Sequence, residues 1–182
     1  TVVTTIYPLQ YFAERIGGDR VQVIGLVKPG VDAHAAELTT QDMHTLSNVN
    51  VVISNGLGME PWLGRALKAL GDDVKALVLE TASEEVAVGY KSDGHDHDHE
   101  EGNPTGLDPH FWLDPIKAST QAELIAQAFI ALDKSNKSYY LTNLSNLTAD
   151  LQELDKNFET AFSDCRHKEF VISHASFGYI AL

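Results

Sequence analysis

Three features of the sequence predict an α/β fold built on a parallel sheet. Short β-rich runs alternate with helical stretches from Val2 to Leu79, the pattern of βαβ units. The run Val49 to Ser54 is almost wholly apolar, as suits a strand covered on both faces. From Pro115 onward the texture changes to long helical periods, which predicts a helical segment leaving the sheet.

Each element follows from local chemistry. Val2 to Ile6 is β-rich, and after Tyr7-Pro8 a short helix over Leu9 to Ile16 is closed by Gly17-Gly18. Val21 to Val27 reads as a second strand, ended by the turn Lys28-Pro29-Gly30. Thr39 and Asp42 are spaced as a capping box, so a helix runs from there to about Ser47. The buried strand Val49 to Ser54 leads through the turn Asn55-Gly56-Leu57-Gly58 to a helix that begins at Glu60-Pro61-Trp62 and ends at Leu70. After Gly71-Asp72-Asp73, Ala76 to Leu79 predicts a further strand. From Pro115 to Leu132 the apolar residues Ala118, Ala122, Ile125, Ala126 and Phe129 fall at helical spacing. Past Asp133 to Asn136, the series Tyr139, Leu144, Leu147, Leu151, Leu154, Phe158 and Phe162 continues to Ser163 without Gly or Pro. A helix of that length, roughly 40 Å at 1.5 Å per residue, serves as a coiled-coil partner or a rigid strut between lobes. Its charges do not repeat as e/g pairs, which favours the strut. Glu169 to Ser173 reads as a new strand, and the last residues as the start of another helix.

Composition sets the outer bounds. The 182 residues suffice for one domain or one and a part, and 43% hydrophobic residues support a core. Net charge is −13, from 26 acidic against 13 basic residues, which argues against nucleic acid as a partner and is compatible with cation capture. No apolar run reaches the eighteen or so residues of a membrane-spanning helix. No signal peptide is visible, although a processed secreted chain would look the same. The single Cys165 cannot form a disulfide within the chain.

Two stretches carry chemistry. In D-P-H-F-W-L-D-P, Asp108 to Pro115, the prolines fix φ near −65° and push the preceding residues out of the helical region. His110 is therefore held on a stiff segment between apolar anchors, and Asp114-Pro115 opens the next helix. Such a histidine is either a pre-positioned metal ligand or a loop residue bonded to backbone. Upstream, residues 92–102 hold His95, His97 and His99 alternating with Asp96, Asp98 and Glu100, without one apolar side chain. Short His-rich tracts bind metals such as Zn, Cu or Ni, so this one reads as an accessory collector, against the alternative of an acidic solubilising loop. His34, His110 and His174 each follow a strand–turn or constrained segment, where a parallel sheet exposes its carboxyl edge. Three histidines around one open position are a zinc pattern. His44 sits mid-helix and His167 precedes Lys168, so both read as surface residues.

Taken together, these motifs resemble the substrate-binding proteins of bacterial ABC importers for zinc and manganese. The resemblance runs over nearly the whole chain. It covers T-I-Y-P-L, P-G-V-D-A-H at Pro29 to His34, T-Q-D-M-H-T-L, N-G-L-G-M-E, the H-D-H-D-H tract, D-P-H-F-W-L-D-P, the long helix, and S-H-A-S-F-G-Y at Ser173 to Tyr179. It implies two α/β lobes joined by one long rigid helix, with a metal held between them by His34, His110 and His174. The implied organisation is an N-terminal lobe over 1–115, a helical segment over 116–163 with the linking helix, and the start of a second lobe over 164–182, most of that lobe being absent. Family members that take manganese place a carboxylate at the third ligand position. His174 stands there instead, and three imidazoles favour zinc, whereas manganese prefers oxygen. The His-rich loop is also a mark of the zinc branch. Two departures stand out: Ala33 replaces the Glu that precedes the first histidine in some members, and the second lobe, which supplies a further Asp in some members, is expected to be only begun in this sequence.

The resemblance thus implies zinc capture outside the cytoplasmic membrane by a monomer, periplasmic or otherwise extracytoplasmic, with or without a lipid anchor, and delivery to an ABC permease. A manganese-binding homologue is the nearest alternative. A zinc-dependent hydrolase is the further one. It would need a general base, for which Glu60 and Glu37 are the acids to nominate, and Glu60 reads better as a first-turn charge at a helix start. No H-E-x-x-H motif is present.

Overall fold

Among the described residues, β-branched and apolar runs form four short strands: β1 Val2–Thr4, β2 Val23–Gly25, β3 Val51–Ser54 and β4 Leu77–Glu80. All pairings are parallel and the spatial order is β2-β1-β3-β4, with Val2 opposite both Val23 and Val51. The computed structural model describes residues 1–71, 74–82, 106–167 and 169–181. The His-rich tract, with His95, His97 and His99, lies outside the described residues.

Period-two alternation sorts the strand side chains between two cores. Val2, Val51 and Ile53 face helix α1, Tyr7–Gly17, whose Leu9, Phe12 and Ile16 are buried with them. Each such side chain contributes about 1.5–3 kcal/mol when fully buried. Val3 and Val52 face the other way, onto Leu46 of α2, Thr40–Ser47, and onto Trp62, Leu63 and Ala66 of α3, Pro61–Leu70. Strands β1 and β3 are therefore covered on both faces, as the apolar β3 required, whereas Leu77 and Val78 of β4 are exposed.

The expected boundaries are reproduced closely where caps define them. Thr39 and Asp42 form the reciprocal capping box that starts α2. Gly18, at φ +50°, ends α1 in a conformation that side chains with a Cβ rarely adopt. Asp114 Oδ1 accepts from the N–H groups of Ile116 and Lys117 at 2.8 and 3.1 Å, opening α4, Pro115–Leu132. The long helix is α5, Lys137–Ser163. Its first half is seated in the core shared with α1: Tyr140, Leu147 and Leu151 are buried, Asn143 Nδ2 donates to Ile16 O, and Arg15 pairs with Asp150 at 2.6 Å. Beyond Leu151 the face opens, leaving Leu154 and Phe162 exposed.

One expectation is corrected. Residues Glu169 to Ser173 do not form a strand, and Phe170, Val171 and Ile172 are exposed. A strand persists only when a neighbour takes up its backbone groups, and none among the described residues pairs with this segment.

Candidate metal centre

β1 lies between β2 and β3, so the chain winds outward from it in both directions. In an open parallel sheet, the carboxyl edge at such a switch point is where a crevice forms. Here the crevice is a cleft of about 250 Å³ lined by Ile6 and Pro8 after β1, Val27 after β2, and Met59 after β3, together with Trp112 and three histidines.

His34 sits on the loop that follows β2. Gly30, at φ +82°, turns the chain, and the His34 N–H donates to Asp32 Oδ1 at 2.9 Å. The indole Nε1–H of Trp62 donates to Ala33 O at 2.7 Å and pins the loop to α3.

His110 is the most firmly held. Its N–H donates to Asp108 Oδ1 at 2.9 Å, and its ring Nδ1 lies 2.6 Å from the same oxygen. A carboxylate can only accept, so Nδ1 carries the proton and Nε2 keeps its lone pair for the cleft. Asp108 is 2% exposed, and its Oδ2 has no hydrogen-bond partner among the described residues. A buried carboxylate is costly unless positive charge stands near it, which a dication on the far side of the imidazole would supply. From below, Asn55 Nδ2 donates to Pro109 O at 2.9 Å, and Gln121 Nε2 donates to Asn55 Oδ1 at 3.1 Å and to Thr81 Oγ1 at 2.8 Å.

His174 reaches the cleft from the irregular 169–177 segment and is itself exposed. Its Nε2 lies 3.0 Å from His110 Nε2. One ligand atom from each of His34, His110 and His174 falls within 4.8 Å of the others. The 3.0 Å between the His110 and His174 nitrogens is within hydrogen-bond reach; two nitrogens bound to one tetrahedral zinc at about 2.0–2.1 Å stand about 3.3 Å apart, so a small widening would admit a shared ion. The rings meet edge to face, His34 on His110 at 5.6 Å and His110 on His174 at 4.9 Å between centroids. The three expected residues are thus brought together, whereas His44 and His167 are exposed elsewhere.

Glu60 stands at the start of α3, as expected, but its side chain makes no cap hydrogen bond there and is engaged elsewhere. It is 8% exposed, and its carboxylate accepts from Thr5 Oγ1, from Asn55 N–H at 2.7 Å and from Gly56 N–H at 3.0 Å. Burial pushes this carboxyl above its ordinary range, against the opposing pull of the three donors. Glu60 is thus a staple between the loops that follow β1 and β3. Gly56, at φ +89°, lets the turn pass so close to Glu80 that a Cβ there would collide with that side chain. Sequence reasoning also missed Asp108 and Tyr179. The D-P-H spacing could have signalled Asp108, because a carboxylate two residues before a histidine can bond both its backbone and its ring.

The family described as "Zinc-uptake complex component A periplasmic" matches residues 2–182 of the chain. The high-affinity zinc uptake system protein ZnuA of Bacillus subtilis is 32% identical over 186 residues, covering 99% of this chain and 57% of the relative. The zinc-binding protein AdcA of Streptococcus pyogenes is 31% identical over 194 residues, covering 100% of this chain and 37% of the relative. Among solved structures, Zn(II)-bound AdcA from Streptococcus pneumoniae matches with a TM-score of 0.81 at 28% identity, over 99% of this chain and 36% of that one. The chain spans less than two thirds of the length of each of these proteins.

Proposed function

The chain belongs to the family of the periplasmic component A of zinc-uptake complexes, and from that premise we propose that it captures Zn²⁺ outside the cytoplasmic membrane and delivers it to an ABC permease. The observation that carries the reading is the convergence of His34, His110 and His174, with their donor atoms within 4.8 Å of one another. Three neutral imidazoles suit zinc and leave a fourth position for water or another ligand. Asp108 keeps His110 in the tautomer that ligates, and Trp62 and Asp32 hold the loop of His34. The ion is cargo, so the site needs to bind it and let it go, and no residue is required to transform it.

In this reading residues 1–115 form a first lobe, 116–163 a helical segment with the linking helix, and 164–182 the start of a second lobe, in a protein acting as a monomer. His95, His97 and His99 serve as an outer collector for the same ion. The manganese alternative would want oxygen donors, and the three converging side chains offer only nitrogen. The hydrolase alternative would want a free base beside a metal-bound water, and Glu60 is engaged by three donors while Glu37 is exposed.

The test is metal content by mass spectrometry after purification, followed by competition among Zn²⁺, Mn²⁺ and Fe²⁺. Zinc should be retained preferentially, and Mn²⁺ binding as tight or tighter would overturn the reading.

A further inference from the structure

We propose that Tyr179 is a positioning residue that latches the His174 segment onto the His110 turn and so presets the third ligand of the cleft. The inference rests on reading the three-histidine cluster as the zinc site. Residues 169–177 have no regular structure, and Phe170, Val171, Ile172 and His174 are exposed. The single buried side chain among the described residues of 169–181 is Tyr179, 5% exposed. It lies on the 3-10 turn Gly178–Ile180, five residues after His174, and packs against the fully buried Phe111. Its hydroxyl donates to the backbone carbonyl of Asp108 at 2.8 Å. Lys117 Nζ stands 5.5 Å from the ring centroid, on the helix that follows the His110 turn.

The choice of acceptor gives the contact its meaning. Asp108 is the residue whose carboxylate orients His110, so one phenol ties the third ligand to the residue that sets the second. Without the latch, His174 would hang on a segment with no ladder and no other buried anchor. Ordering that segment costs backbone entropy, and the cost would fall on the binding step. With the latch, part of the ordering is done before the ion arrives. The bond joins chemistry that is otherwise far apart: 71 residues separate Tyr179 from Asp108.

Tyr179→Phe tests the bond, because it keeps the ring against Phe111 and removes only the donor. Zinc affinity of the 182-residue chain should fall about threefold to tenfold, the range of one lost hydrogen bond, mainly through faster release. Tyr179→Ala should lose more than Tyr179→Phe, since the ring anchor also goes, up to the loss seen on removing His174 itself. In a His174→Ala background, Tyr179→Phe should have no further effect on the residual affinity. The metal-free melting temperature, a readout of a purely structural role, should stay within a degree or two of wild type for Tyr179→Phe. Unchanged zinc affinity in Tyr179→Phe would overturn the latch. So would an equal loss with and without His174, which would assign the effect to Asp108 and His110 alone. A wild-type chain that retains no zinc would overturn the function reading itself, a result distinct from either.

Discussion

His110 and His174 bring the same imidazole to the same point from opposite kinds of backbone. His110 is 8% exposed and stands between two prolines on a turn braced by Asp108, Asn55 and the buried Phe111. His174 is exposed on a segment without regular structure, held through Tyr179 five residues on. The difference teaches that a ligand's distance from its neighbours does not measure its readiness. The contacts behind it do, because every group that must be ordered when the ion arrives subtracts from affinity.

Removing the braced ligand should cost most. His110→Ala is expected to lower zinc affinity by roughly a hundredfold or more, since apparent zinc free energies of about 10–16 kcal/mol shared among four ligands leave about 3 kcal/mol each. Asp108→Ala keeps all three histidines and should still cost about 10–100-fold, the range for loss of a partner behind a ligating imidazole. His174→Ala should cost nearer tenfold, because the ordering of its segment is no longer demanded; the estimate follows from the backbone entropy recovered. Isothermal titration with a competing chelator measures all three, and a loss at His174 equal to that at His110 would erase the contrast drawn between them.

A smaller effect sharpens the account of the brace. Burial pushes the carboxyl of Glu60 above its ordinary value near 4.5, so the folded chain holds that proton more readily than the unfolded one. The stability due to this group is fully present below about pH 4.5 and is lost as pH rises through the folded value. Glu60→Gln should remove that part of the pH dependence from the metal-free melting temperature. It should also lower stability by about 1 kcal/mol or more, because an amide NH₂ then faces N–H donors. A variant whose melting curve keeps the full wild-type slope would mean that Glu60 does not titrate with folding.

The smallest expected effect belongs to a stretch with no apolar anchor in its sequence. Deleting Gly94 to Glu101 should leave one tight zinc site at nearly wild-type affinity and lower only the total stoichiometry, read by mass spectrometry. Ordering so polar a stretch costs roughly 1–2 kcal/mol per residue. Loss of tight binding in the deletion would move the principal site into the loop and reverse the whole comparison.

Local chemistry alone determined most of the fold. Alternating periods set the order of strands and helices, Thr39 with Asp42 and Asp114 with Pro115 set two helix starts, and glycines set the turns. His34 and His110 were legible for the same reason: each sits just past a signal that ends a strand or stiffens a turn. His174 was placed with them by a strand expected over Glu169 to Ser173 that does not form, and by the family resemblance. What the tertiary structure decided depends on partners far away in the chain. The register of Glu169 to Ser173 is undefined without a neighbouring ladder, so β-rich composition did not make it a strand. Glu60 became a buried staple only because Thr5, Asn55 and Gly56 converge on it. The tautomer of His110 was settled by a carboxylate within its own motif, yet the carbonyl of that same residue is claimed by Tyr179 from 71 positions downstream. Propensity and spacing act over a few residues, whereas burial and hydrogen-bond satisfaction are properties of the packed chain, and it is these that separate a ligand that is merely present from one that is ready.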